Sequence, residues 1–267
     1  MRRCTVNWYN RRGIEAGTGM PFVRDAVRRV LSPLLPEKWK RYIKAELFQV
    51  PETENSLRRM KRLGFDPTVA IDVGAYVGEW TRSFRQIFPD SQVLMIEPQA
   101  SKTAILAKVT AELSNVELRP ALLGARVEAN VGFRESETAS SVLTELENRR
   151  PPTTYLPMTT LDAITEGSPF ARPNFIKLDV QGYEIEVLRG GVRTLESAEA
   201  VLMEVNLLGL HEGVPLFHES AGYMGKHGFQ VYDVCSLIRR PYDGALWQAD
   251  VIFLRNSSPL ISSTRWS

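Results

Sequence analysis

The sequence predicts an α/β protein built on a doubly wound, mostly parallel sheet of seven strands, with a helical extension at the N-terminus. Three observations lead there. After about residue 66, short runs rich in Val, Ile, Leu and Phe alternate with helical segments, as strands do when both of their faces are buried under helices. The first run ends in a glycine turn, Asp72-Val73-Gly74-Ala75-Tyr76-Val77-Gly78, that opens directly into a helical pattern from Glu79 to Phe88. A chain of 267 residues, 43% hydrophobic and 24% charged, is within what one hydrophobic core serves.

Residues 1–62 form the extension. The first 44 carry 11 Lys/Arg against 3 Asp/Glu, leaving 22 against 28 for the rest, so a basic head precedes an acidic body. Arg24, Arg28, Arg29, Lys38, Lys40, Arg41 and Lys44 are interleaved with Phe22, Val23, Val27, Val30, Leu31, Trp39, Tyr42 and Ile43. That is the spacing of two amphipathic helices broken near Pro33 and Pro36. A cap packed on the domain with its charges in water is the first expectation. A peripheral contact with the inner membrane surface, or with a polyanion, is the alternative.

The domain proper is expected over 63–257, followed by a tail over 258–267. Its strands are Thr68–Val73, Gln92–Glu97, Val116–Ala121, Asn174–Asp179, Ala200–Val205, Phe229–Val234 and Asp250–Leu254. Between the third and fourth lies a long insertion, Leu122–Pro173, with Val131–Phe133 and Tyr155–Met158 as further strands and a polar stretch at Glu135–Ser141. The run Arg149-Arg150-Pro151-Pro152 reads as a loop, and Leu161–Thr165 as a short helix bounded by Gly167 and Pro169. Insertions of this length sit over a site or extend a sheet edge.

Composition removes several classes. The two cysteines, Cys4 and Cys235, give neither a disulfide framework nor a zinc-ligand spacing and fit a reducing cytoplasm. No apolar run approaches the roughly 20 residues that cross a bilayer, and the N-terminus lacks a signal-peptide core. The acidic body, without alternating aromatic and basic residues, argues against nucleic acid as a partner.

The glycine turn after the first strand brings backbone N–H groups and a helix N-terminus to an anionic or polar part of a ligand, although tight packing alone also favours glycine there. The second strand adds specificity. Val93-Leu94-Met95-Ile96 leads straight into Glu97-Pro98, about 20 residues beyond Gly78, which sets a carboxylate at the neighbouring strand end where it accepts both hydroxyls of a ribose. With Gly74 and Gly78 alone, and Tyr76 between them, the turn makes a poor pyrophosphate cradle. A P-loop Gly-Lys-Ser/Thr is absent.

The third signal is Asn174-Phe175-Ile176-Lys177-Leu178-Asp179-Val180-Gln181-Gly182-Tyr183-Glu184, running on through Ile185, Val187 and Leu188 to Gly190-Gly191. Together with Ile71-Asp72-Val73-Gly74-Ala75 and Glu97-Pro98, this stretch resembles the FkbM family of S-adenosylmethionine-dependent methyltransferases. The likeness runs from about Leu63 to Leu254 and includes Thr160-Leu161-Asp162 and Met203-Glu204-Val205. Two departures stand out: Gln181, where the family often has Glu, and Tyr76, where Asn is common.

The resemblance implies a Rossmann-like class I methyltransferase fold, S-adenosylmethionine as cofactor, and methylation of an oxygen, often a hydroxyl of a sugar, glycan or small metabolite. It implies further that Asp72, Gly74, Ala75, Tyr76 and Gly78 line the methionine portion of the cofactor, with Glu97 and Pro98 at the ribose. Ala121, Leu122 and Ser141 would lie by the adenine, Ser140 beside them, and Asp179 would close the site. The chemistry agrees, since an activated methyl needs alignment, exclusion of water and removal of the hydroxyl proton. Asp179, Glu204, His211 and His218 are the candidate bases, and His227 reads as a helix cap. Asp179, Glu204 and Asn206 are a donor set that would suit Mg²⁺.

Two other readings share these features. An NAD(P)-dependent reductase would use the same sheet, and a non-catalytic nucleoside-binding module would keep the pocket while recruiting a partner through the basic head.

Overall fold

The computed structural model describes residues 51–136, 140–146 and 150–263. The expected amphipathic helices before residue 50, part of the Arg149–Pro152 loop and the last four residues lie outside them.

The described strands, in chain order, are β1 (Val69–Val73), β2 (Gln92–Ile96), β3 (Val116–Arg119), β4 (Leu122–Leu123), β5 (Glu128–Phe133), β6 (Thr154–Thr159), β7 (Phe175–Leu178), β8 (Ala200–Asn206), β9 (Phe229–Arg239) and β10 (Leu246–Arg255). The main sheet has seven of them in the order β3-β2-β1-β7-β8-β10-β9, and a second sheet has the order β4-β6-β5. β1 pairs in parallel with β2 and β7, and β8 in parallel with β7. β10 runs antiparallel to both of its neighbours. The described helices are α1 (Thr53–Arg62), α2 (Glu79–Ile87), α3 (Thr103–Glu112), α4 (Leu161–Thr165), α5 (Glu184–Arg189), α6 (Val192–Ser197) and α7 (Phe217–Lys226).

The period of two in each strand divides the apolar residues between two cores. On one face Ile71, Val73, Leu94, Ile176, Leu178, Val201 and Met203 pack with Leu161, Leu188, Leu195 and Met224 of the helices. On the other, Ala70, Val93, Met95, Phe175 and Leu202 meet Leu57 and Met60 of α1, Phe84 and Phe88 of the α2 segment, and Leu106 and Val109 of α3. Trp80 stacks on Phe84 and on Phe175, with ring centroids 4.7 and 5.8 Å away, and the two phenylalanine rings also meet each other at 5.3 Å. Burying a large side chain of this kind contributes roughly 2–3 kcal/mol, so α1 is fastened to the sheet through Leu57 and Met60.

Several strand boundaries differ from the sequence expectation, most of them by a residue or two. β3 stops at Arg119 rather than Ala121, because Pro120 has no N–H for the ladder, and the chain then turns into the second sheet at β4. β9 and β10 are longer than expected and form a hairpin with register shifts. Its turn is closed by Arg240, whose guanidinium donates to both carboxylate oxygens of Asp243 at 2.8 and 2.7 Å.

Candidate active site

Strand order reverses between β1 and β7, and at such a switch point the loops leaving two neighbouring strands diverge and open a crevice. The turn leaving β1 crosses the end of β7 so closely that a Cβ on Gly74 would stand 1.9 Å from the Asp179 carbonyl oxygen. Gly74 itself has φ +78°, so glycine is required here both by conformation and by space. Gly74 and Ala75 N–H donate to the Ile96 carbonyl at 3.0 and 3.2 Å, tying the turn to the end of β2. Tyr76 follows with φ 48°, a conformation that costs a bulky residue free energy and is kept where its surroundings enforce it. Its ring lies 4.4 Å from the Lys102 ammonium.

Glu97 is what enforces it. The Glu97 carboxylate, 4% exposed, accepts the Tyr76 N–H on Oε2 at 2.8 Å and the Gln99 N–H on Oε1 at 3.0 Å. Burial pushes this carboxyl up from its ordinary value; the two backbone donors and Lys177 act the other way without cancelling it. A buried carboxylate that is fixed by backbone and still faces a cavity retains lone pairs for a ligand's hydroxyls.

That cavity has about 730 Å³ of space, its open mouth included. Gly74 and Tyr76 line it from the β1 turn, Glu97 and Pro98 from the end of β2, and Asp179 and Gln181 from the end of β7. Ala121, Leu122 and Phe133 on the side of the second sheet, and Ser140 and Ser141 of the segment above it, complete the wall. The Ser141 hydroxyl donates to the Gln181 carbonyl at 3.1 Å, clipping that segment over the β7 turn.

Three of the residues expected along the cofactor lie behind the wall instead. Asp72 is fully buried, its Oδ2 accepting from the Thr81 hydroxyl at 2.7 Å. Ala75 belongs to the core beneath the turn. Gly78 packs on α3, where an added Cβ would meet Val109 at 2.8 Å.

Lys177 organises the floor of the site, a role that its place in the sequence alone did not reveal. Its ammonium lies 3.0 Å from Asp72 Oδ1, an ion pair rather than an aligned hydrogen bond, and 3.7 Å from Asp179 Oδ2. It also donates to the Gly74 carbonyl at 2.9 Å. Burial alone would lower the lysine, but the charges of Asp72 and Asp179 outweigh it and the group stays firmly protonated.

Beyond Asp179 lies a row of polar groups, of which Glu204, Asn206 and Gln248 are buried. Gln181 Nε2 donates to Asp179 Oδ1 at 3.0 Å and to Glu204 Oε1 at 3.2 Å. Gln248 Nε2 donates to the same Glu204 oxygen at 2.7 Å and to Asn206 Oδ1 at 3.3 Å. Burial, followed by the charges of Asp179, Glu184 and Asp250, pushes the Glu204 carboxyl well up. Glu184 Oε1 accepts the N–H groups of Val180 and Gly182 at 2.9 and 3.1 Å and so holds the turn that carries Asp179 and Gln181. Among the described residues no group of three His, Cys, Asp or Glu is arranged to hold a metal ion.

The histidines separate. His211 is 7% exposed, pairs by backbone with Glu145, and sits with the Glu145–Arg134 ion pair at 2.9 Å. It does not line the cavity. Burial lowers its imidazole; Glu145 opposes and Arg134 adds to the effect. His218 is exposed on α7. His227 caps α7 and bonds through Nδ1 to the Tyr223 carbonyl at 2.9 Å.

The family model for the methyltransferase FkbM domain matches residues 72–231, more than half of the chain. Over a short stretch the chain is similar to the hexuronic acid methyltransferase AglP of Haloferax volcanii, 38% identical over 45 residues. That match covers 17% of this chain and 19% of the relative's length. Among solved structures it is similar to precorrin-6y C5,15-methyltransferase of Geobacter metallireducens, with TM-score 0.46 and 12% identity over 76% of this chain and 87% of that one. It is also similar to magnesium protoporphyrin IX methyltransferase of Synechocystis PCC 6803, with TM-score 0.44 and 12% identity over 88% and 95% of the two chains. The seven-stranded sheet with its one reversed strand is the class I methyltransferase fold. No helix among the described residues is long and apolar enough to cross a membrane.

Proposed function

The chain belongs to the FkbM family of S-adenosylmethionine-dependent methyltransferases, and from that premise we propose that it methylates an oxygen, a hydroxyl of a sugar, glycan or related small metabolite. The observation that carries the cofactor placement is Glu97, a buried carboxylate fixed by two backbone N–H groups and facing a cavity. A ribose diol matches it, because two adjacent hydroxyls donate to one carboxylate. On this reading the Gly74–Tyr76 turn runs along the methionine portion of the cofactor, Ala121, Leu122 and Ser141 lie at the adenine, and Pro98 flanks the ribose. Asp72, Ala75 and Gly78 support the turn from behind.

When bound, the cofactor supplies a methyl group already activated on a sulfonium sulfur. The chain's own tasks are to align the acceptor oxygen with that carbon, to exclude water and to take up the hydroxyl proton. Asp179 is the base on this reading, since it lies in the cavity wall with one oxygen toward Lys177. Glu204, whose carboxyl is pushed up by burial and by its acidic neighbours, lies beside it and accepts from Gln181 and Gln248. His211, buried and away from the cavity wall, has no part in this reading. The sugar class draws support from the short similarity to a hexuronic acid methyltransferase.

Titration calorimetry with S-adenosylhomocysteine tests the cofactor placement. Wild-type protein binds, and Glu97→Ala weakens binding by about 30- to 100-fold, the loss of hydrogen bonds to a charged group; equal affinity in the variant overturns it. Incubation with methyl-labelled cofactor and a panel of glycans, glycolipids and hydroxylated metabolites tests the acceptor. Label found on nitrogen or carbon alone overturns the oxygen assignment.

A further inference from the structure

Asp179, Glu204 and Asn206 bring three oxygen donors to neighbouring strand ends, a set that from sequence would suit a divalent cation. Mg²⁺ and Ca²⁺ need several oxygens free to converge within roughly 2.0–2.6 Å of one point. The geometry here directs those oxygens elsewhere. The position between the two carboxylates is taken by Gln181, whose amide nitrogen donates to Asp179 Oδ1 at 3.0 Å and to Glu204 Oε1 at 3.2 Å. Gln248 Nε2 takes up the same Glu204 oxygen at 2.7 Å and the Asn206 oxygen at 3.3 Å, while the second oxygen of Asp179 faces the Lys177 ammonium at 3.7 Å. Rotating the Gln181 amide by half a turn would set its carbonyl oxygen against both carboxyl groups, so their presence fixes the amide as donor. The residue is also held in the left-handed region, φ 55°.

We propose that Gln181 is a positioning residue that does with its amide what a divalent cation would otherwise do, holding Asp179 and Glu204 together at the acceptor end, so that methyl transfer in this protein needs no metal. The proposal rests on the reading of Asp179 and Glu204 as the acceptor end. With one amide shared between them, the two side chains keep a fixed separation without a positive charge, and the charge on Asp179 remains available for a proton.

The test uses Mn²⁺ alone, read by the electron paramagnetic resonance signal of the free ion, with the full chain. Wild-type protein leaves Mn²⁺ free up to about 0.5 mM, whereas Gln181→Glu, which places a third carboxylate between the two, binds one ion at least tenfold more tightly, in the range of weak carboxylate sites. Asp179→Asn in the Gln181→Glu background abolishes that gain. Should Gln181→Glu fail to fold, Gln181→Ala removes both donors without adding charge and is expected to bind Mn²⁺ more tightly than wild type. Uptake of Mn²⁺ by wild type below about 0.5 mM that is lost in Asp179→Asn overturns the proposal. So does a folded Gln181→Glu protein no better at binding the ion than wild type. Binding of S-adenosylhomocysteine in the presence of EDTA reads the cofactor placement separately, so failure of the one is distinguishable from failure of the other.

Discussion

Replacing Glu184 by glutamine is expected to stabilise the protein at alkaline pH and to leave it nearly unchanged at acidic pH. The Glu184 side chain is 4% exposed, and burial pushes its carboxyl up from 4.5 to about 7; the N–H groups of Val180 and Gly182 pull it partly back, and Asp179 adds to the rise. The folded state therefore holds a proton that the unfolded chain releases near pH 4.5, and the associated stability is complete below that pH and lost as pH rises through 7. A rise from 4.5 to about 7 corresponds to about 3 kcal/mol. Glutamine offers the same carbonyl-type acceptor to Val180 and Gly182 and carries no charge, so the variant escapes the loss.

Urea denaturation followed by tryptophan fluorescence, at pH values of about 4.5, 6 and 8 that bracket the transition, measures the effect. The wild-type midpoint should fall across that range by on the order of 1 M urea more than that of Glu184→Gln, for a denaturant slope of about 2–3 kcal/mol per M. Glu204 is pushed up in part by the Glu184 charge, so Glu184→Gln/Glu204→Gln beside each single variant separates the coupled part. Wild type and Glu184→Gln differing by the same amount at all three pH values would refute the reasoning, because a purely structural effect of the substitution has no reason to follow protonation.

Lys177→Met leaves Asp72, fully buried, without its cation, and calorimetric unfolding should show a loss of about 3–5 kcal/mol. Adding Asp72→Asn should recover most of that stability without restoring affinity for S-adenosylhomocysteine, since the ties from Lys177 to the Gly74 carbonyl and to Asp179 are still missing. Gly74→Ala puts a methyl group 1.9 Å from the Asp179 carbonyl oxygen at φ +78°, and loss of S-adenosylhomocysteine binding or of soluble protein is expected. Gly64→Ala, at φ +97° with no atom within 4 Å, should cost only about 1–2 kcal/mol and keep binding intact.

The strands of the main sheet are legible where they are buried on both faces and read as continuous apolar runs. Glu97 is legible for a related reason: four apolar residues fix the end of β2, and the next residue falls at the sheet's open edge. Where the signal is a partner remote in sequence, legibility fails. β4 is two residues long and exists because Leu122 and Leu123 pair with Met158 and Thr159; nothing within Leu122–Gly124 marks it as the start of a second sheet. The hairpin of β9 and β10 reads shorter in the sequence than it is, because Val231, Val234, Leu237 and Ile238 are exposed and its ladder is interrupted by register shifts, which breaks the alternation a strand assignment relies on.

The buried charges show the same division more sharply. Asp72, Lys177 and Glu204 each stand two residues beyond a residue of one core, respectively Ala70, Phe175 and Leu202, and Asp250 stands two residues before Ile252 of that core. Alternation alone therefore puts all four on one face of the sheet. Their pairing is set by strand order and register: Asp72 stands opposite Lys177, and Asp250 opposite Glu204. Read along the chain, Lys177 is a lone cation inside an apolar strand and Asp72 a carboxylate beside a glycine turn, which points to a ligand. Read across the sheet, they neutralise each other, and the ligand-facing role passes to residues one step further along, Gly74 and Asp179. A charged residue at a buried strand end thus has a choice of two partners, the neighbouring strand or the crevice above it, and the register decides between them.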